Sequence, residues 1–235
     1  MELVKIDIAN KNIMFLFDFN GTAIYLTETM RNTFIVSVVL IIGALIIRAR
    51  LKTFTEVPTG KLQNTVEAMI EMLSNFTKNA LGEKLEFLGA YFFGVFVFII
   101  VANYSGLLPW FRSPTTDLAV TAPLALSTFV LIHFHGMRTR KGKYFKEYLS
   151  PFPLFLPLNI LGEFARPLSL ALRLFGNILG GLIIIELMYG MMPFIARFLT
   201  PIIAHGFFDL FAGFLQAFVF TMLSMTFIRV KSEAE

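Results

Sequence analysis

Polar and apolar positions along this chain do not alternate as in a half-buried strand, nor stripe one face as in a soluble surface helix. The apolar residues gather into long runs, and short basic stretches separate several of them. A hydrocarbon core about 30 Å thick is crossed by about 20 apolar helical residues. The candidate crossings are Thr33 to Ile47 with its flanks, Phe87 to Ala102, Leu118 to Phe134, 154–192 and 202–228. The pattern predicts an all-α integral membrane protein with about five membrane-crossing helices. Between the first two runs, Leu62, Val66, Met69, Ile70, Leu73 and Phe76 recur at helical spacing among Glu67, Glu71 and Lys78. That periodicity predicts an amphipathic helix lying on the cytoplasmic surface of the membrane over Gly60 to Glu86. Met14 to Phe19 is apolar but too short to span, and reads as an outer-surface segment.

The last two runs are too long for a simple crossing. Run four would reach about 58 Å and run five about 40 Å as continuous helix. Such helices must tilt, kink or break, and Pro157 and Pro167 offer kinks in run four. A strongly tilted helical hairpin against a curved partner surface accommodates that length. The chain reads as a single membrane domain in three parts. Residues 1–86 hold the outer amino-terminal segment, first span and surface helix, and 87–150 hold a helical hairpin and basic loop. Residues 151–235 form the long final hairpin.

Charge assigns the sides. Arg48, Arg50, Lys52 and Lys61 follow the first run, Arg138, Arg140, Lys141, Lys143 and Lys146 the third, and Arg229 and Lys231 the fifth. The loops after runs two and four hold only Arg112 and Arg197. An amino terminus outside and a carboxyl terminus in the cytoplasm put every basic cluster inside. Composition agrees with a membrane class. Of 235 residues, 56% are hydrophobic and 15% charged, against about 25% charged in soluble domains, and the mean hydropathy is +0.72. The net charge of +4 sits between apolar runs and points to orientation rather than nucleic acid. No cysteine is present, which excludes disulfides and thiolate metal sites. No cleavable signal or transit segment is read at the amino terminus, which favours a bacterial plasma membrane.

Polar groups inside apolar runs are candidate functional residues. Arg173 lies deep in run four with no acidic residue at i±3 or i±4, so its partner is expected on another helix or another chain. Ser169, Arg173, Asn177 and Gly180 or Gly181 share one face by i, i+4 spacing. That face offers one fixed cation, two hydrogen-bonding groups and small residues permitting close helix approach. In run five, Asp209, Gly213 and Gln216 fall on one stripe. His133 and His135, at i, i+2, make a poor metal pair and read as interfacial. Arg166 also reads as interfacial, and His205 as a solvated residue near the outer end. No cofactor or metal site is expected.

Leu172-Arg173-Leu174-Phe175-Gly176-Asn177 resembles the signature of subunit a of the F-type ATP synthases. Asn103 with Ser105-Gly106-Leu107-Leu108-Pro109, Asp117 in Pro114-Thr115-Thr116-Asp117, and Gln216-Ala217-Phe218 resemble further segments of that family, so the likeness covers roughly Phe87 to Ile228. The resemblance implies a non-catalytic stator subunit that binds no nucleotide. Its arginine faces a carboxylate on each member of a rotating c ring, and two offset half-channels carry the ion. The implied partners are the c ring, b subunits, the lipid membrane and protons, with sodium the open alternative.

A nearby guanidinium favours the ionised carboxylate, and arginine, unlike a buried lysine, stays charged. Gln216 is similar to the glutamine packed near the family's arginine. Asn177 reads as hydrating or orienting the arginine face, or as a packing residue. Asp209, where some members carry a histidine, reads as a proton carrier of the outer half-channel or as a structural pair. Where many members have Glu or His nine positions after the arginine, this chain has Leu182, with Glu186 one turn later as a substitute. Glu163 reads as lining the inner exit or as interfacial, and Asn103 as a channel wall or a span end. The competing readings are a self-contained transporter or channel, with Arg173 paired inside the chain to Glu186 or Asp209, and, remotely, an intramembrane enzyme. No H-E-x-x-H or G-x-S-x-G occurs.

Overall fold

In the computed structural model, the described residues are 12–19, 22–52, 54, 60–108, 110–149, 152–191 and 202–233. The chain opens with an antiparallel hairpin, β1 (Asn12–Phe19) and β2 (Thr22–Thr27), with Phe15 opposite Tyr25 and Phe19 opposite Thr22. The apolar stretch at Met14 to Phe19 is therefore a strand, an element the sequence pattern did not predict. Thr27 ends the hairpin and starts α1 (Glu28–Leu51), its hydroxyl accepting from the Met30 N–H. Glu28 in the first turn and Arg48 and Arg50 in the last complement the helix dipole.

The predicted surface helix is α2 (Lys61–Leu81), with exposed Met69, Ile70 and Met72. It stops at Gly82, whose φ of 78° suits a residue without Cβ. A 3₁₀ segment (Glu83–Leu88) leads into α3 (Gly89–Ser105). The turn after α3 passes a short 3₁₀ segment (Pro114–Thr116) into α4 (Leu118–Arg140), where Asp117 caps the Ala119 N–H. Then come α5 (Gly142–Tyr148) and α6 (Leu156–Met191), a helix of 36 residues with Pro167 inside it. Pro167 has no N–H, so the Glu163 carbonyl lacks its usual intrahelical donor. The last helix begins at 202–205, passes through a π segment (Gly206–Ala212) and continues as α7 (Gly213–Glu233).

Five of these segments are long and apolar enough to cross a membrane: Glu28–Leu51, Glu83–Ser105, Leu118–Arg140, Pro153–Met191 and Ile202–Ser232. The predicted five-helix class therefore holds. α3, α4, α6 and α7 pack together, whereas α1 presents Phe34, Val39, Ile41, Leu45 and Ile46 outward. Ala125, Ala171 and Ala217 are all within 2% of full burial at the centre, beside Ile99, Leu174 and Phe220. Inside lipid, apolar side chains gain little by leaving their surroundings. Small residues that let helix backbones approach, and hydrogen bonds between helices, hold such a bundle. A second cluster, including Leu81, Phe92, Ile132 and Ile228, closes the end where the basic residues collect.

Candidate functional site

Three contacts fix how α6 and the final helix run past each other. Lys231 Nζ lies 2.7 Å from Glu163 Oε1, Asn177 Nδ2 donates to the Ala212 carbonyl at 3.3 Å, and a Cβ on Gly181 would stand 3.0 Å from that of Phe208. The two helices are antiparallel, and each turn back along α6 advances one turn along α7. One turn beyond the Asn177–Ala212 contact, Arg173 and Gln216 reach the same level.

Their environments there are opposite. Arg173 is exposed, on a strip with Ala165, Ser169, Leu172 and Gly176 that no other element among the described residues covers. A Cβ on Gly162, Gly176 or Gly180 would meet nothing within 4 Å. Among the described residues no carboxylate pairs with Arg173, and Asp209 and Glu186, its possible internal partners, make no ion pair with it. The predicted face of Ser169, Arg173 and Gly180 is therefore an open one. Asn177 sits at its edge, half-buried, tied to the final helix, and Gly181 turns inward against Phe208.

Gln216 is only 7% exposed, and its Nε2 has no protein hydrogen-bond partner. Thr121 on α4 is wholly buried, and its Oγ1 is likewise without one. Gly136 on α4 lies against Lys231, and Thr121 and Gln216 each stand fifteen positions earlier on their helices. The two unsatisfied groups thus lie at about the same depth, since both helices rise 1.5 Å per residue in the same direction. Sequence reasoning missed Thr121. Nothing distinguishes it from Ser127 or Thr128, whose hydroxyls return to the Leu124 carbonyl.

Asn103 is almost fully buried. Its Nδ2 donates to the Gly213 carbonyl at 2.9 Å, and its Oδ1 accepts from Thr115 Oγ1 at 2.6 Å. Ser113 joins this network through Thr115 and the Ala102 carbonyl. The loop between α3 and α4 is thereby fastened to α7 three residues before Gln216. Asp117, besides capping α4, accepts from Thr29 Oγ1 at 2.6 Å and so ties α1 to this end.

Two further carboxylates stand at opposite ends of the bundle. Glu163 is buried among Lys231, Arg166 at 2.9 Å and His133 Nε2 at 3.8 Å. The Lys231 ammonium also lies 5.0 Å from the Tyr148 ring centre and 5.5 Å from that of Tyr144. His133 and Arg166, read from sequence as interfacial, belong to this cluster. Asp209 lies at the far end, in the π segment, where His205 Nδ1 approaches its Oδ2 at 2.5 Å. His205 is thus paired rather than merely solvated. Glu186 is half-buried on α6, and among the described residues it has no ion-pair or hydrogen-bond partner. Leu182, half-buried on α6, adds no polar group to this end.

The fold and this arrangement define a multi-pass α-helical membrane protein. It displays a fixed cation on an open helix face and buries unsatisfied polar groups at the same level. A profile of the ATP synthase A chain family matches residues 31–229, and the chain belongs to that family. It is similar to "ATP synthase subunit a 1" of Hahella chejuensis, 34% identical over 204 residues, covering 86% of this chain and 82% of that one. It is also similar to "ATP synthase subunit a" of Nitrosospira multiformis, 36% identical over 214 residues, covering 89% and 78%. That of Solidesulfovibrio magneticus is 39% identical over 177 residues, covering 74% and 72%.

Proposed function

We propose that this chain is the ion-translocating stator subunit of an F-type ATP synthase, with Arg173 as the barrier between two half-channels. The observation that carries this reading is the open Arg173 face. A guanidinium on a membrane helix, bordered by glycines and paired with no carboxylate among the described residues, calls for an anionic partner on another molecule. A rotor carrying one carboxylate per subunit supplies it. Ionised, that carboxylate is held by Arg173; protonated, it can enter lipid. Arginine serves because it keeps its charge when dehydrated. Each charge crossing gains about 2.3 kcal/mol per 100 mV, which drives rotation.

The basic ends of α1, α4 and α7 lie in the cytoplasm and the hairpin outside, following the positive-inside rule. The buried, unsatisfied Gln216 and Thr121 lie at the level of Arg173, at the inner end of the path from the outer surface. The inner path follows the open face of α6 against the rotor, because the Glu163 cluster fills the cytoplasmic end of the bundle. The chain itself binds no nucleotide; it works with the c ring and b subunits. A self-contained transporter would need Arg173 paired within the chain, and no observation favours that.

The test combines cross-linking with transport. The chain has no cysteine, so single cysteines report cleanly. Ser169→Cys and Gly176→Cys, on the open face, cross-link to cysteines around the rotor carboxylate, while buried Leu174→Cys does not. Arg173→Ala abolishes ATP-driven ion pumping in proteoliposomes, and Arg173→Lys fails to restore it fully. Transport intact in Arg173→Ala, with no cross-link from either exposed position, overturns the reading.

A further inference from the structure

We infer that the basic end of the bundle carries a binding site for an anionic phospholipid, in which Lys84, Arg138 and Ser232 hold the lipid phosphate and Phe87 and Phe134 receive an acyl chain. The inference goes beyond the stator reading and stands whether or not that reading holds.

A cavity of about 450 Å³ opens where three segments meet: the 3₁₀ segment between α2 and α3, the last turns of α4 and the last turn of α7. Lys84 and Phe87 line it from the first, His135, Arg138 and Thr139 from the second, and Ser232 from the third. Its charge is one-sided. Lys84 and Arg138 are exposed, and among the described residues neither makes an ion pair or a side-chain hydrogen bond. Glu83 and Glu86 lie on the same 3₁₀ segment as Lys84, but they do not line the cavity and pair with neither cation.

Ser232 is a second, independent sign of a ligand. The other three hydroxyls of α7, on Thr221, Ser224 and Thr226, return to the carbonyl four residues back. The Ser232 Oγ is buried in the cavity wall and has no hydrogen-bond partner among the described residues. A buried hydroxyl left without a partner is costly, and a phosphate oxygen is an acceptor for it.

One turn into the membrane from Arg138 the wall becomes apolar. The His135 ring packs against both Phe87 and Phe134, its centre 5.5 Å from each. Phe87 is 66% exposed and Phe134 53%, and Val130, a further turn along α4, is exposed as well. Cations and a hydroxyl at the rim, with aromatic rings a turn deeper, follow the order of a phospholipid: phosphate at the interface, chain in the hydrocarbon. A guanidinium holds phosphate through two parallel hydrogen bonds, and an ammonium adds a point charge. Basic pockets between the ends of membrane helices take anionic headgroups. A free anion gains nothing from the two rings, and an acidic protein segment leaves them uncovered. A phosphate bound here bridges the turn after α2 to the ends of α4 and α7, so the lipid fastens the surface helix to the bundle.

The experiment uses the complete chain in phosphatidylcholine vesicles. Trp110 is its only tryptophan, so Phe87→Trp combined with Trp110→Phe gives one indole, at the cavity. Dibrominated phosphatidylglycerol or dibrominated phosphatidylcholine is titrated in as the quencher. A basic residue near an anionic lipid surface is worth about fivefold in binding, so phosphatidylglycerol should quench at about tenfold lower mole fraction than phosphatidylcholine. Lys84→Gln with Arg138→Gln should remove most of that preference, and Ser232→Ala should reduce it about twofold. Lys61→Gln with Lys78→Gln takes the same charge from exposed positions of α2 and should leave the preference in place, as should an excess of inorganic phosphate. Equal quenching by the two lipids overturns the inference, and leaves an acidic protein segment as the occupant. A preference that survives Lys84→Gln with Arg138→Gln, or that falls as far with Lys61→Gln and Lys78→Gln, overturns it by marking the general field of a basic surface. A preference abolished by inorganic phosphate overturns it by marking a site for free anions.

Discussion

Glu163 and Asp209 are both carboxylates set in apolar helices with a histidine in reach, and they sit at opposite ends of the same helical pair. Glu163 faces two basic side chains, Lys231 and Arg166, in a side-chain environment 9% exposed, with Lys231 itself at 4%. Asp209 faces one titratable base at an exposed edge. The number of fixed cations decides what each can do. A carboxylate matched by lysine and arginine holds α6 to α7, because breaking the pair leaves buried charge uncompensated. A carboxylate matched by one histidine at a partly exposed edge is held by a single contact among the described residues. The same residue type is a multiply held fastener at one end and a singly paired group at the other.

The comparison can be broken at its strongest contact. Lys231→Met removes the cation buried between Glu163 and the tyrosine rings. It should cost about 3–5 kcal/mol, the usual penalty for breaking a buried pair, read as a lower Tm of the detergent-solubilised subunit and a lower yield of assembled complex. A smaller and opposite effect is expected at the middle of the membrane. Gln216→Leu removes a buried donor that has no protein partner, a group whose burial costs about 1–3 kcal/mol. Stability should therefore hold or rise, while ion pumping falls. A parallel loss of both would make Gln216 a packing residue. The smallest effect sharpens the contrast between the histidines. His133→Asn at the Glu163 cluster should change stability by under about 1 kcal/mol, since Lys231 and Arg166 remain. It should leave ion pumping unmoved, whereas His205→Asn takes from Asp209 the one ion-pair partner it has among the described residues.

Much of the frame was legible before any coordinates. The long apolar runs are each decided by local composition and length, so the five crossings and the surface helix followed directly. Arg173 was singled out because no acidic neighbour exists within a turn, a purely local fact. The amino-terminal hairpin was not legible: Met14 to Phe19 was seen only as an apolar stretch, and strand pairing depends on a partner the pattern did not announce. Thr121 was invisible because one threonine in an apolar helix looks like another until its neighbours are known. His205 was read as solvated because its position on the helix says where it lies and not what shares its turn after the backbone widens into a π segment.

The sequence by itself determined the membrane class, the number of crossings, the excess of positive charge at one end and the presence of an arginine that its own helix cannot neutralise. These are properties of spacing, hydropathy and charge along one dimension. Only the tertiary structure decided that Arg173 faces outward, that Gln216 and Thr121 are buried and unsatisfied at one depth, and that Glu163 is locked while Asp209 holds a single histidine. Those facts depend on which helices cross at which level, and that is set by close packing of small residues and by hydrogen bonds between distant segments.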